Sequence, residues 1–220
     1  TNFSKLVSIV DTTPADSSKE ILGDSNVVAI RQSLRRLSSE GESQLERFWA
    51  EQIIKSNYAQ MALMRFPYFK NYEAMTDFEV TRMKTCDIHS GQKVLFVGSG
   101  PLPLSSIMMA EKHGFSVDNL DIDEKACELS RSVIKELNLS KKVRVIHKNI
   151  FDITDFSHYE SIFIAALAGI DETEKINIIE HVARHAEKGT HVVLRSVSDL
   201  GALLYPEITE DHLKSIDVVK

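Results

Sequence analysis

The chain has 220 residues, room for one α/β domain and a modest helical appendage. Its 43% hydrophobic and 26% charged content is that of an ordinary globular protein, with no apolar run long enough for a membrane span and no signal-peptide pattern at its start. A net charge of −6 offers no basic face, which argues against a nucleic-acid partner.

In chain order, residues 1–26 are mixed, and DTTPADSSKE reads as a loop rich in Ser, Thr, Asp and Pro. From Val27 to about Met64 the pattern is helical. Val27, Ile30, Leu34 and Leu37 recur at three-to-four spacing, as do Leu45, Phe48, Trp49 and Ile53. SSEGES between the two groups reads as a helix–helix connection. RFPYFKNY reads as an aromatic connector, with a further helix from about Glu73 to Cys86. The two cysteines, Cys86 and Cys127, form no CxxC and read as reduced thiols in a cytoplasmic protein.

After Ser90 strand-like and helical runs alternate: KVLFVG and LSSIMMAEKH, SVDNLDI and EKACELSRSVIKEL, VRVIHKNI, SIFIAAL and ETEKINIIEHVARHA, then HVVLRS. This alternation predicts an α/β fold with a doubly wound, mostly parallel sheet. The expected organisation is a helical N-terminal domain over 1–89, covering the active site, and a Rossmann-like domain over 90–220. IDVVK is read as the beginning of a sixth strand. The antiparallel pair that closes a methyltransferase-type sheet has no counterpart, so the sheet is expected to be short at its C-terminal end.

VLFVGSGPLPLSS places a glycine loop at the carboxyl end of the first strand, where such folds bind ligands. Gly98 and Gly100 fit the first two glycines of a dinucleotide fingerprint, but Pro103 stands at the third. The absence of GK[ST] removes the P-loop reading. What remains is a GxG turn followed by a carboxylate, Asp121, ending the second strand beside Ile122. That carboxylate is suited to the two hydroxyls of a ribose. Asp123 competes for the role, or caps the next helix. Asn149 in HKNIFDI is placed to reach an adenine edge, with Ile150 stacking near it. Together these pieces suggest S-adenosylmethionine and the class I methyltransferase type of fold. The alternative is a plain α/β turn with a capping aspartate. Pro101 and Pro103 stiffen the loop, and Leu102 and Leu104 add bulk, so an unusual presentation of the sulfonium is expected.

VGSGPLPLSS, together with LERFWAEQI, RFPYFKNYEAMTDFE, AALAG, EKINIIEHVARH, VVLRS and GALLYP, resembles the nicotianamine synthase family over roughly residues 42–208. The resemblance implies an enzyme that moves the 3-amino-3-carboxypropyl (2-aminobutanoyl) group of S-adenosylmethionine onto an amine, releasing 5′-methylthioadenosine. Plant-type members condense three such arms into nicotianamine. Bacterial relatives transfer one arm to histidine in making opine metallophores. The shared motifs do not separate these acceptors. The family usually carries a further two-stranded closing segment.

The resemblance also implies site roles. Glu46 and Tyr72 would be catalytic, and the cofactor would be held by Gly98, Ser99, Gly100, Pro101, Leu102, Pro103, Asp121, Ile122, Asn149, Ile150, Ala165 and Leu167. Tyr68, Arg195 and Tyr205 would bind the acceptor. Chemistry gives independent reasons for some of these. An acceptor amine attacks only when neutral, and a neighbouring carboxylate such as Glu46 can take its proton. A tyrosine face can support a sulfonium, and an arginine a carboxylate. The plain readings are a solvated Glu46, core aromatics and an ion-paired Arg195. His181 and His185 are four apart on one helix without HExxH, so no metal site is expected, and a solvated or capping role is preferred. The competing functions are an ordinary small-molecule methyltransferase, which would release S-adenosylhomocysteine, and an inactive cofactor-binding sensor. The sequence leaves the oligomeric state open, a homodimer included.

Overall fold

The computed structural model describes residues 2–214. The chain opens with helices α1 (Asn2–Thr12), α2 (Ala15–Gly23), α3 (Ser25–Lys55), α4 (Ala59–Leu63) and α5 (Phe69–Lys84). Strands and helices then alternate: β1 (Lys93–Val97), α6 (Leu104–Lys112), β2 (Ser116–Asp121), α7 (Glu124–Glu136), β3 (Val143–His147), β4 (Ser161–Ile164), α8 (Glu172–His185) and β5 (His191–Leu194). The sixth strand expected at IDVVK lies outside the described residues.

Each of the five strand-like runs forms a strand, in the order β3-β2-β1-β4-β5. β1 runs parallel to β2 and β4, pairing Val97 with both Leu120 and Ile164, and β2 runs parallel to β3. This is a doubly wound α/β sheet. Its strand order reverses between β1 and β4, and ligands of such sheets bind outside the carboxyl ends at that switch point. A buried charge sits inside β2. Asp118 accepts from Arg144 Nε at 3.1 Å and Tyr159 Oη at 2.8 Å, and pairs with Lys93 at 3.0 Å. Burial raises its carboxyl, but the hydrogen bonds from Arg144, Lys93 and Tyr159 outweigh that and hold it below the usual range.

Two compact units divide the chain. One comprises Ser43–Ala165 and His185–Val193, and the other Thr1–Glu42, Ala166–Arg184 and Leu194–Lys220. In the first, Ala50 and Ile53 of α3, Leu63 and Phe66 pack with Leu102, Leu104, Ile107 and Met108 and with Val133 and Ile134 of α7. Burying such side chains contributes roughly 1.5–3 kcal/mol each, so this layer fixes the last part of α3 firmly against the loop after β1. In the second unit, α1 and α2 pack against the 3-10 turn Asp199–Leu203. Arg35 of α3 is buried there, donating to the carbonyl of Ala202 at 2.9 Å and pairing with Glu172 at 2.7 Å.

Three local expectations are corrected. SSEGES does not interrupt the helix, since α3 runs unbroken for 31 residues. A helical glycine such as Gly41 costs only about 1 kcal/mol, and burial of Arg35 and Ser38 just before it makes this polar stretch a packed surface. DTTPADSSKE is not a loop: Pro14 caps the start of α2, a place where its missing N–H costs nothing. The connector RFPYFKNY ends at Tyr68, and α5 begins at Phe69 because Thr76, Val80 and Met83 supply a buried helical face.

Candidate active site

The turn after β1 depends on glycine. Gly98 and Gly100 have φ of 77° and 67°, a left-handed conformation that costs other residues about 1–2 kcal/mol. Gly98 donates its N–H to Leu120 O at 2.8 Å, which ties the turn to β2. Gly100 donates to Oδ2 of Asp121 at 2.7 Å, while Oδ1 of the same carboxylate accepts from Asp123 N at 2.9 Å. The carbonyl of Asp121 accepts from Lys148 N at 3.1 Å. Asp121 thus joins the ends of three adjacent strands.

The proline segment faces inward. Pro101, Leu102, Pro103 and Leu104 are all buried, and Leu102 belongs to the core described above. The leucines therefore do not add bulk to the open side of the loop, as expected from sequence; the hydrophobic layer under α6 takes them up. Pro103 caps α6, its carbonyl accepting from Ile107 N at 3.0 Å. Ser99 is buried beside the two glycines.

Glu46 sits directly on this turn. A Cβ built on Gly100 would stand 2.6 Å from Glu46 Oε2. Glycine is favoured here by its backbone angle, and a Cβ would displace the carboxylate end of Glu46. The next residue, Arg47, pairs with Asp123 Oδ2 at 2.5 Å and donates from Nε to Ser43 Oγ at 3.3 Å. Asp123 also caps α7, its Oδ1 accepting from Lys125 N and Ala126 N at 2.9 and 3.1 Å. The capping role raised for it from sequence is the one it has.

Tyr68 and Tyr72 stand edge-on to Phe66, with ring centroids at 6.0 and 6.2 Å, and Trp49 meets the same ring at 6.2 Å. Both tyrosines are half-buried and pack against the layer that contains Leu102. At the end of β3, Asn149 Oδ1 caps a short 3-10 turn by accepting from Phe151 N at 3.1 Å. Ile150 is buried, whereas Ile122 and Phe151 are exposed. Ala165 closes β4, donating to Val97 O at 3.0 Å.

Leu167, Arg195 and Tyr205 belong to the other compact unit. There Tyr205 Oη donates to the carboxylate of Glu42, whose burial raises its carboxyl more than the tyrosine hydrogen bond lowers it. Buried Lys175 donates to the carbonyls of Ala166 and Arg195 at 2.7 and 2.8 Å, and burial, followed by the charge of Arg195, lowers its amine to about 8. His181 is buried, not solvated as its sequence suggested, because it lies on the face of α8 that carries Ile178 and Val182. Among the described residues no three His, Cys, Asp or Glu side chains gather as metal ligands.

Sequence reasoning missed Glu42 and Arg47. Breaking the helix at SSEGES put Glu42 in a connection. The Arg47–Asp123 pair joins residues 76 apart and has no local signal.

The sheet order, the glycine turn and the carboxylate ending β2 define a Rossmann-like fold of the S-adenosylmethionine-dependent methyltransferase type. A putative S-adenosyl-L-methionine-dependent methyltransferase from Methanococcus maripaludis shares it at a TM-score of 0.53 and 16% identity, over 68% of this chain and 63% of that one. The chain belongs to the nicotianamine synthase family, whose model, described as nicotianamine synthase protein, matches residues 1–220. Nicotianamine synthase 2 of Arabidopsis thaliana is 32% identical over 232 residues, covering 100% of this chain and 70% of the relative. Nicotianamine synthase 1 of the same plant is 31% identical over 227 residues, again covering 100% and 70%. The crystal structure of MtNAS in complex with MTA and tNA matches the fold at a TM-score of 0.84 and 24% identity, over 96% of this chain and 77% of that one.

Proposed function

We propose that the chain is a transferase of the nicotianamine synthase type. It moves the 3-amino-3-carboxypropyl (2-aminobutanoyl) group of its substrate S-adenosylmethionine onto an amine and releases 5′-methylthioadenosine. Membership of the family supports the activity, and the Arabidopsis relatives carry the name of the reaction. The observation that carries the reading in this chain is the carboxylate of Glu46 seated on Gly100, beside the Asp121 hydrogen bond.

The step balances simply. The lone pair of a neutral acceptor amine forms a bond to Cγ of the aminocarboxypropyl arm. The Cγ–S bond breaks, and its electron pair returns to sulfur, leaving a neutral thioether. Glu46 takes the proton that the amine loses, a contribution of about 10²–10⁴ in rate for general-base catalysis. Asp121 keeps lone pairs beyond the two N–H groups it accepts, and these suit the ribose hydroxyls. Ile122, Ile150 and Asn149 serve the adenine, with the backbone of the turn Gly98 to Pro103, Ala165 and Leu167 completing the cofactor contacts. Tyr72 presents its ring to the sulfonium, an attraction of roughly 0.5–2 kcal/mol. Tyr68, Arg195 and Tyr205 are assigned to the acceptor, Arg195 through a carboxylate.

The acceptor is an aminobutanoate derived from S-adenosylmethionine or an amino acid such as histidine, and the product a metallophore or its precursor. Cys86 and Cys127 are both free thiols, which supports a cytoplasmic setting. The test is incubation with S-adenosylmethionine labelled in the aminocarboxypropyl arm, with and without histidine. Methylthioadenosine and label on the amine product are expected. S-adenosylhomocysteine as the by-product would make the chain an ordinary methyltransferase instead.

A further inference from the structure

Glu46 lies in a closed circuit of contacts within one compact unit. Its carboxylate rests on Gly100, and Gly100 donates to Asp121 at 2.7 Å. Asp121 accepts from the N–H of Asp123 at 2.9 Å, and Asp123 holds Arg47 at 2.5 Å. Arg47 follows Glu46 on α3, so the circuit closes through one peptide bond. We propose that Arg47 is a positioning residue that, through Asp123, fixes the rotation of α3 and so keeps the Glu46 carboxylate over the glycine turn. This rests on the reading of Glu46 as the base.

At about 100° per residue, Arg47 projects roughly 60° from Ala50 and 120° from Ile53, so its ion pair grips α3 to one side of the hydrophobic layer. The layer holds the last part of α3 by close packing. The ion pair adds a directional contact on a second side of the helix. It differs from an ordinary surface pair, which contributes little. The side chains of Arg47 and Asp123 are only 28% and 43% exposed. Both are also held independently of each other, Arg47 by Ser43 and Asp123 by two N–H groups of α7. The contact is charge-assisted, from one guanidinium nitrogen to one carboxylate oxygen. The arginine also balances one of the three carboxylates, Glu46, Asp121 and Asp123, that border the turn.

The test uses two variants of the whole chain. Asp123→Asn keeps an oxygen to cap α7 but removes the charge that holds Arg47, and Arg47→Met removes the other partner. Each should lower kcat for methylthioadenosine release about 10-fold or more, as misplacement of a reacting group does. The Kd for S-adenosylmethionine by calorimetry should stay within about 3-fold, since no cofactor contact in our reading is removed. Arg47→Lys should recover part of the loss. The double variant should be no slower than the worse single one, because both break the same contact. Arg47→Met added to Glu46→Gln should cost nothing further. Folded Arg47→Met and Asp123→Asn proteins with parental kcat would overturn the proposal while leaving Glu46 in place. A parental rate in Glu46→Gln alone would remove the base, and the brace with it.

Discussion

Glu46 Oε2 occupies the space that a side chain on Gly100 would need, 2.6 Å from an ideal Cβ. A side chain at Gly100 would displace the carboxylate of a helix that precedes the sheet in sequence. The contact joins a carboxylate to the glycine turn at the carboxyl end of β1.

Gly100→Ala should therefore damage activity beyond its effect on stability. The left-handed φ of 67° costs an alanine about 1–2 kcal/mol, or roughly 2–8 °C in Tm for a chain of this size. Gly91, with φ of 92° and open space around it, is the control. Gly91→Ala should show a similar loss of Tm by calorimetry but retain transfer, whereas Gly100→Ala should lose both. Equal turnover in the two variants would mean that the Glu46 contact does not matter for the reaction.

Asp121→Ala removes a carboxylate that already organises the turn through Gly100 and Asp123. Affinity for S-adenosylmethionine should weaken by about 1.5–3 kcal/mol, the scale of a charge-assisted hydrogen bond. Titration calorimetry on the folded variant measures this directly. An unchanged Kd would take Asp121 out of the cofactor site.

Lys175 makes a prediction about pH. Burial lowers its amine from the usual 10.5 to about 8 in the folded chain. Between about pH 8 and 10.5 the unfolded chain then binds more protons at this position, so this group's contribution to stability rises with pH. The neutral amine still donates to the carbonyls of Ala166 and Arg195. Compared with Lys175→Met in denaturant titrations, the parent should gain stability across that window. A parent that loses ground to the variant there would mean that the amine is not desolvated.

The elements of the sheet and its turns were legible because their signals are local. Each strand is a short strand-like run, the glycine turn and Asp121 sit at strand ends, and Asp123 precedes a helical pattern as a cap should. The helical segment was less legible. Ser and Gly in SSEGES have weak helical preference, and α3 runs through them with Arg35 and Ser38 buried just before. Pro14 looked like a loop residue because a proline that starts a helix and one that ends it are alike in isolation. The destination of Leu102 was missed for a related reason, since a buried loop leucine and one facing a ligand read the same. Arg47 finds Asp123 only once the fold brings α3 to the end of β2, so no spacing rule reveals that pair.

The central claim is that Glu46 removes the proton from the attacking amine. Its most direct test is single-turnover release of 5′-methylthioadenosine by the parent and by Glu46→Gln, with the Kd for S-adenosylmethionine measured on the same samples. Glutamine keeps the shape and one acceptor oxygen but has no basic carboxylate. The rate should fall by about 10²–10⁴ while the Kd stays within a few-fold. A Glu46→Gln protein that releases methylthioadenosine at the parental rate at neutral pH would contradict the account and place the base elsewhere.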